Sequence, residues 1–376
     1  MKKPLITVLI ALSVLTAANR ERNLPRMTEI TLAEPVFVIG VDKGEDDNVI
    51  MSLIYERIEN ADEGAENTNQ KFVKSAEGSS AAAALEVLKR GFSREIAVST
   101  ADYFLIGEDA ARESLEKYTD YLSRNNNLKL TASVFIVRGS VTEATEIITE
   151  TKTLDIMRNF GQNSGVNAFS SPMMFFEFLS ELAVTGRAFA VPALIIGRDD
   201  SRFSDAAQPN VVPNGYAIID NGVLKGFLDD SASRGYNIIK NKPVRSTVEI
   251  EKMNIAAGLE TAKRNIHFNF DGDNLINITI SVDITSSAVD RGVHGKEDLN
   301  DPDIIKKIEK EQARVIFSEI RKTIAASKIY ECDFLGIGDI LRMKHPYRWH
   351  RMKSDWDEIY ARTPVRIEVN SRLMKH

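Results

Sequence analysis

The apolar positions of the chain begin with one uncharged, largely apolar run, Leu5 to Ala18, behind Lys2 and Lys3 and ahead of the polar residues Asn19 to Arg22. That is the three-part layout of an export signal. A run of about 14 residues makes a helix of roughly 21 Å, short of the ~30 Å hydrocarbon core, so export fits it better than a full membrane span. Two apolar runs follow, Val36–Asp42 and Val49–Tyr55, on either side of the polar turn Lys43–Asp47, and they predict a hairpin. Residues 61–80 are rich in Ala, Glu, Asn, Gly and Ser and read as a loop, and Ala81–Lys89 reads as a helix. Tyr103–Gly107, Glu108–Leu122 and Leu130–Arg138 then predict strand, helix, strand. Ala111, Leu115, Tyr118 and Leu122 form one stripe that should lie on a sheet.

Pro172–Ala183 is a helix apolar over much of its girth, suited to burial or to a partner's surface. The chain turns polar from Asp199 to Pro213, which marks the best domain boundary. Beyond it Asn221-Gly222, suited to a type I′ turn, joins the runs 215–220 and 223–228. A second hairpin joins Ile266–Phe270 to Leu275–Ile284, and the alternation over Ile276, Ile278, Ile280, Val282 and Ile284 gives it one buried and one wet face. Asp301-Pro302 opens the longest helix, predicted to reach about Ser327, with an isoleucine-rich stripe suited to packing on the second sheet. Ser354 is a candidate cap for a last helix, and a strand carrying Val365, Ile367 and Val369 closes the chain. These elements predict an α/β (α+β) protein of several domains, with mixed sheets flanked by helices. The expected division is a signal or anchor segment over 1–19, an N-terminal α/β domain over 20–200, a linker and hairpin subdomain over 201–242, and a C-terminal α+β domain over 243–376.

The length of 376 residues favours two or three packed units. The formal net charge of −6 arises from intermixed acids and bases, so nothing favours nucleic acid as a partner. Cys332 is the one cysteine, which excludes an internal disulfide and any cysteine-based metal cluster. No cofactor is expected. Asp42, Glu45, Asp46 and Asp47 lack the spacing of a calcium loop, and His267, His294, His345, His350 and His376 lack that of a metal-binding pair. Gly107 and Gly139 each follow a strand, yet neither sits in a phosphate-binding glycine pattern, so no nucleotide site is predicted. His345 and His350 are read as lying in a proline-containing loop, and the stretch His345–Trp356 interleaves aromatic and basic residues. A packed aromatic cluster covered by the arginines and a contact with a protein partner both fit, and Tyr347, Trp349 and Trp356 are the candidate contacts.

Glu331–Gly338, His345–Trp349 and Trp356–Tyr360 together resemble the C-terminal motifs of the Ger(x)C germinant-receptor C subunits of endospore-forming bacteria. Asn214–Asp220 and Leu224–Leu228 resemble that family's hairpin, Gly40–Lys43 its first strand and Ile106–Ala110 a helix start. The resemblance implies a fold peculiar to the family and no enzymatic activity. It implies a lipoprotein on the outer face of the inner spore membrane, attached through its N-terminus and assembled with integral membrane A and B subunits that trigger germination. Leu15-Thr16-Ala17 resembles the triplet before a lipidated cysteine, but Ala18 stands at the cysteine's position and cannot form the thioether. Simple cleavage, an uncut anchor and a replaced cysteine all fit. Two other readings stay open at this point: an exported solute-binding protein with a deep pocket between domains, and an exported enzyme using carboxylates such as Asp42 or Asp333.

Overall fold

A computed structural model describes residues 33–57, 70–125, 127–162, 168–197, 210–290 and 301–374. Residues 1–32, which include the leader and Ala18, lie outside the described residues. The first hairpin forms as its pattern predicts, with β1 (Ala33–Lys43) antiparallel to β2 (Val49–Glu56). β3 (Lys71–Gly78) adds to β2 within the stretch read as a loop. Its sequence is mostly polar with no apolar alternation, and the open edge of β2, rather than its own pattern, makes it a strand. α1 (Ala81–Arg90) follows, capped by Ser80, and then the short β4 (Glu95–Ala97), parallel to β1.

β5 (Tyr103–Gly107), β6 (Ser133–Arg138) and β7 (Ala188–Gly197) continue the sheet in parallel. The predicted helix between β5 and β6 is two helices, α2 (Glu108–Glu113) and α3 (Leu115–Arg124). Ser114 turns extended, φ −173°, and its hydroxyl accepts the Lys117 N–H, while the Leu115 N–H reaches the Gly222 carbonyl at 2.8 Å. A tertiary hydrogen bond thus replaces a helical one at the break. α4 (Val141–Glu150), α5 (Thr153–Gln162) and α6 (Phe175–Leu182) lie between β6 and β7. α6 buries Phe175 and Phe178 but leaves Met174, just before it, and Phe176 exposed, so it is half-buried rather than apolar all round.

β8 (Asn210–Asp220) and β9 (Val223–Leu228) form the predicted hairpin, with positive φ at both Asn221 and Gly222. β8 pairs antiparallel with β7, so this hairpin completes the large sheet, whose order is β3-β2-β1-β5-β6-β7-β8-β9 with β4 beside β1. α1, α2, α3 and α6 cover one face of that sheet, and α4 and α5 cover part of the other.

α7 (Asp230–Ile239) leads out of the sheet and is buried at every position from Ala232 to Ile239. A smaller sheet follows, β10 (Ser246–Ile250), β11 (Ile255–Asp271), β12 (Asn274–Asp290) and β13 (Val365–Met374), antiparallel except for the parallel β12–β13 pair. α8 (Pro302–Ile329) starts on the Asp301 cap and lays Ile305, Ile308, Ile316, Ile320 and Ile324 on this sheet, as its stripe predicts. α9 (Ile337–Lys344), α10 (Pro346–Met352) and α11 (Trp356–Arg362) close the unit. The stretch read as a proline-containing loop is therefore helical, because Pro346 sits in the first turn, where its missing N–H costs nothing. The observed architecture is mixed α+β, with two mixed sheets flanked by helices.

One core joins the units. Tyr216 and Ile218 of β8, Tyr236 and Ile238 of α7, Ile280 of β12, Ile320 of α8 and Trp356 of α11 belong to a single buried cluster. α7 meets α8 at Gly235, where an added Cβ would lie 2.2 Å from the Thr323 hydroxyl and 2.6 Å from the Glu319 carbonyl oxygen. Beside it Arg234 and Glu319 form a buried two-pronged ion pair, with Nε to Oε2 at 2.8 Å, and Arg234 also donates to the Thr247 carbonyl at 3.2 Å.

Gly235→Ala is expected to destabilise the chain by about 1–3 kcal/mol through overpacking. Arg234→Met should cost roughly 3–5 kcal/mol by stranding a buried carboxylate, and the double change Arg234→Met, Glu319→Met should recover most of that loss. Urea denaturation midpoints check all three; an unchanged midpoint in G235A would mean that α7 and α8 separate without loss.

Candidate functional site

Two carboxylates named from the sequence are held by the backbone amides of two different helices. Asp42, on β1, accepts the N–H groups of Val141 at 3.0 Å and Thr142 at 2.9 Å and the Ser140 hydroxyl at 2.9 Å, at the start of α4. It occupies the place where a phosphate would sit on a strand-to-helix turn. The glycines there serve this packing. A Cβ at Gly107 would fall 1.8 Å from Asp42 Oδ1, and one at Gly40 would fall 2.2 Å from Val141.

Asp333 precedes α9. Its Oδ1 accepts the Ile337 N–H at 3.0 Å, and its Oδ2 accepts the Gly338 N–H at 2.7 Å and the Trp356 indole N–H at 2.9 Å. Gly336 takes the left-handed conformation, φ +69°, that turns the chain into the helix. Gly338 must lack a side chain, since a Cβ would lie 2.7 Å from the Trp356 indole nitrogen and 3.0 Å from the Trp349 ring. Trp349 packs edge-on against Trp356, which stacks on Tyr360, and the Tyr360 hydroxyl lies 2.6 Å from Ser327 Oγ. Cys332 is buried beside them, and burial pushes its thiol up to about 12, so it is no nucleophile.

Above this cluster a cleft of about 850 Å³ opens between the large-sheet unit and the C-terminal helices. Met173, Met174, Phe176 and Phe189 line one wall, and Asp333, Phe334, Trp349 and Trp356 the other. Lys240 and Lys242, just past α7, line it between them. Arg187 spans the two walls, donating to Asp339 at 3.0 Å and pairing with Glu181. Burial raises the Asp333 carboxyl to about 6, against the hydrogen bonds from Gly338, Ile337 and Trp356 and the charge of Lys240. Burial also lowers Lys240 and brings Lys242 down to about 8.

The structure brings Trp349 and Trp356 together at the cleft and leaves Tyr347 apart on the surface. Trp356 is 6% exposed, whereas Tyr347 is 88% exposed. Among the described residues no three His, Cys, Asp or Glu side chains cluster as metal ligands would. Sequence reasoning passed over Lys240 and Lys242, because Lys240-Asn-Lys-Pro243 looks like an ordinary solvated turn. The available signal was their place directly after a helix flanked by apolar residues.

The two sheets with their flanking helices and the Asp333 cluster make a mixed α+β protein of two joined units. The family model described as "Spore germination protein N-terminal domain" matches residues 26–196, and "Spore germination B3/ GerAC like, C-terminal" matches residues 214–376. The chain belongs to this family, the germinant-receptor C subunits. It is 25% identical over 406 aligned residues to spore germination protein KC of Bacillus subtilis (strain 168), spanning 100% of this chain and 96% of that one. It is also 22% identical to the putative spore germination protein YfkR of the same organism, over 81% of this chain and 78% of that one. The crystal structure of the GerBC protein shares the fold, with a TM-score of 0.56 at 13% identity over 90% of this chain and 97% of that chain.

Because the folded Asp333 holds its proton to about 6 against a reference value of 3.8, the native state binds the extra proton between those values. The contribution of this group to stability is therefore greatest at low pH and is lost as pH rises from about 4 to about 6. Asp333→Asn should flatten the stability profile in that window relative to the parent, measured by denaturant titrations at stepped pH. Parallel profiles would contradict the assignment.

Proposed function

We propose that the chain is the non-enzymatic C subunit of a nutrient germinant receptor, working on the outer face of the inner spore membrane and assembled there with integral membrane A and B subunits to trigger germination. The observation that carries this is the tandem match to both domains of the family, together with a full-length likeness to a spore germination protein. Among the described residues no helix is long and apolar enough to cross a membrane. Attachment in this reading falls to the apolar leader Leu5–Ala18 and to contacts with the membrane subunits. Because Ala18 as it stands cannot carry a thioether lipid, an uncut anchor, a cleaved signal and a replaced cysteine at that position all fit.

The chemistry of the two notable carboxylates supports a role without catalysis. Asp42 and Asp333 each spend their oxygens on helix amides, which suits a structural part better than a general base. Tyr347, exposed on α10, is the aromatic residue of the candidate contact set best placed to meet a partner.

A tagged full-length chain purified from spore membranes is expected to bring two integral membrane proteins with it, and deletion of its gene should block nutrient-triggered germination in a strain with no redundant receptor. Recovery of the chain alone, with normal germination in the deletant, would overturn the reading. Tyr347→Ala should leave the denaturation midpoint within about 0.5 kcal/mol of the parent and reduce the recovery of partners. The mass of the N-terminal peptide from the same membranes distinguishes the uncut from the cleaved leader.

A further inference from the structure

The cleft between the units contains two amines that form no direct ion pair with its side chains, although Asp333, Glu181 and Asp339 act on Lys240, and Glu177 on Lys242, at longer range. Among the described residues neither Lys240 nor Lys242 has a carboxylate within ion-pair distance, and neither amine donates a hydrogen bond. Lys242 lies over the rings of Tyr216 and Tyr236, 5.2 and 5.4 Å from their centroids. The Lys240 amine sits against the turn before α9, 3.1 Å from where a Gly336 side chain would begin. The neighbouring acids are engaged elsewhere. Glu177 accepts the Met174 N–H at 2.9 Å, Glu181 and Asp339 are tied by Arg187, and Asp333 is held by amides and an indole. A partly dehydrated ammonium without a directly bonded counter-charge is costly, and a fold that needed only packing there would be served by methionine.

We propose that this cleft binds a small organic carboxylate, with Lys240 and Lys242 holding its oxygens and the wall of Phe334, Trp349 and Trp356 covering its apolar body. Volume and lining agree, since a cleft of about 850 Å³ with aromatic walls and a few convergent polar groups suits a small molecule. The donors favour carboxylate over phosphate. The amides of Ile337 and Gly338, which could have cradled a phosphate, are taken by Asp333, and Arg187 is committed to Glu181 and Asp339. The site lies wholly within this chain, so it does not depend on the receptor assembly proposed above.

The chain contains two tryptophans, and both line the cleft, so tryptophan fluorescence excited beyond the tyrosine absorption band reports on this place. The purified full chain is titrated in parallel with hexanoate, inorganic phosphate and hexylamine. A saturable change with hexanoate, with phosphate and hexylamine much weaker, is expected. In Lys240→Met, Lys242→Met the hexanoate affinity should fall roughly tenfold or more, and in Lys240→Arg, Lys242→Arg it should be largely retained. The arginine pair keeps the test decisive if the methionine pair fails to fold. No saturable response to hexanoate, equal response to hexylamine or phosphate, or undiminished binding in a folded methionine pair would overturn the proposal. Any of these results would leave the co-purification test of the receptor reading untouched.

Discussion

The arrangement of the whole molecule depends on the contact between α7 and α8 at Gly235. α7 contains Ser233, Arg234 and Asn237, and yet all three are buried. Two of these polar groups are satisfied by neighbouring segments, while the Ser233 hydroxyl has no hydrogen-bond partner. Arg234 finds Glu319, and Asn237 takes the Tyr216 hydroxyl at 2.6 Å and donates to the Ala168 carbonyl at 2.7 Å. A two-pronged buried ion pair adds little net stability over an apolar pair of equal volume, but it penalises any other register. The helix can therefore sit against α8 in one way. Since α7 follows directly from β9 and α8 carries the small sheet, that one register fixes the second unit against the first and so shapes the cleft.

Asp42 and Asp333 apply one device at two sites. Each is an internal anion placed on the first amides of a helix, where free N–H groups and the helix dipole favour negative charge. In each case glycine clears the space, Gly107 and Gly40 for Asp42 and Gly336 and Gly338 for Asp333. This gives a physical meaning to the short motifs that resemble the family's. Gly40–Lys43 and Ile106–Ala110 build the first staple, and Glu331–Gly338 with Trp349 and Trp356 builds the second. The motifs are structural determinants of the two units, and the second also forms one wall of the cleft.

What could be read from the sequence followed local chemistry. Asn221-Gly222 forced a turn with two positive φ values, and Asp301-Pro302 with an isoleucine stripe made a helix and its buried face visible in advance. Where the decisive partner was distant, the reading missed. β3 is a strand because β2 offers an edge, and the break at Ser114 exists because Gly222 takes the Leu115 N–H. Pro346 looked like a loop residue because its place in a first turn depends on where α9 ends. For the site, Trp349 and Trp356 were recognised as aromatic candidates, but their shared wall, and the withdrawal of Tyr347 from it, come from helical geometry that a loop reading could not supply. Lys240 and Lys242 carry only the weak local mark of following an apolar-flanked helix, because their distinction, the absence of a directly paired carboxylate, is set by distant segments.

That absence also bears on how a subunit of this kind could respond to a change. Arg187 joins the walls of the cleft through Glu181 on one side and Asp339 on the other, and Asp339 belongs to the helix that Asp333 caps. An anion held by Lys240 would lie next to the Asp333 carboxylate, whose ionisation is already opposed by burial and supported by Lys240. Were the proposed anion bound, it would weaken that support, which is smaller than that of the hydrogen bonds from Gly338, Ile337 and Trp356, and occupancy and protonation of Asp333 would then favour each other by the reciprocity that governs any two coupled sites. Asp333 fixes the start of α9 and the Trp356 indole, so the coupling acts on the cluster that joins the cleft wall to the C-terminal helices, close to the surface where Tyr347 stands free.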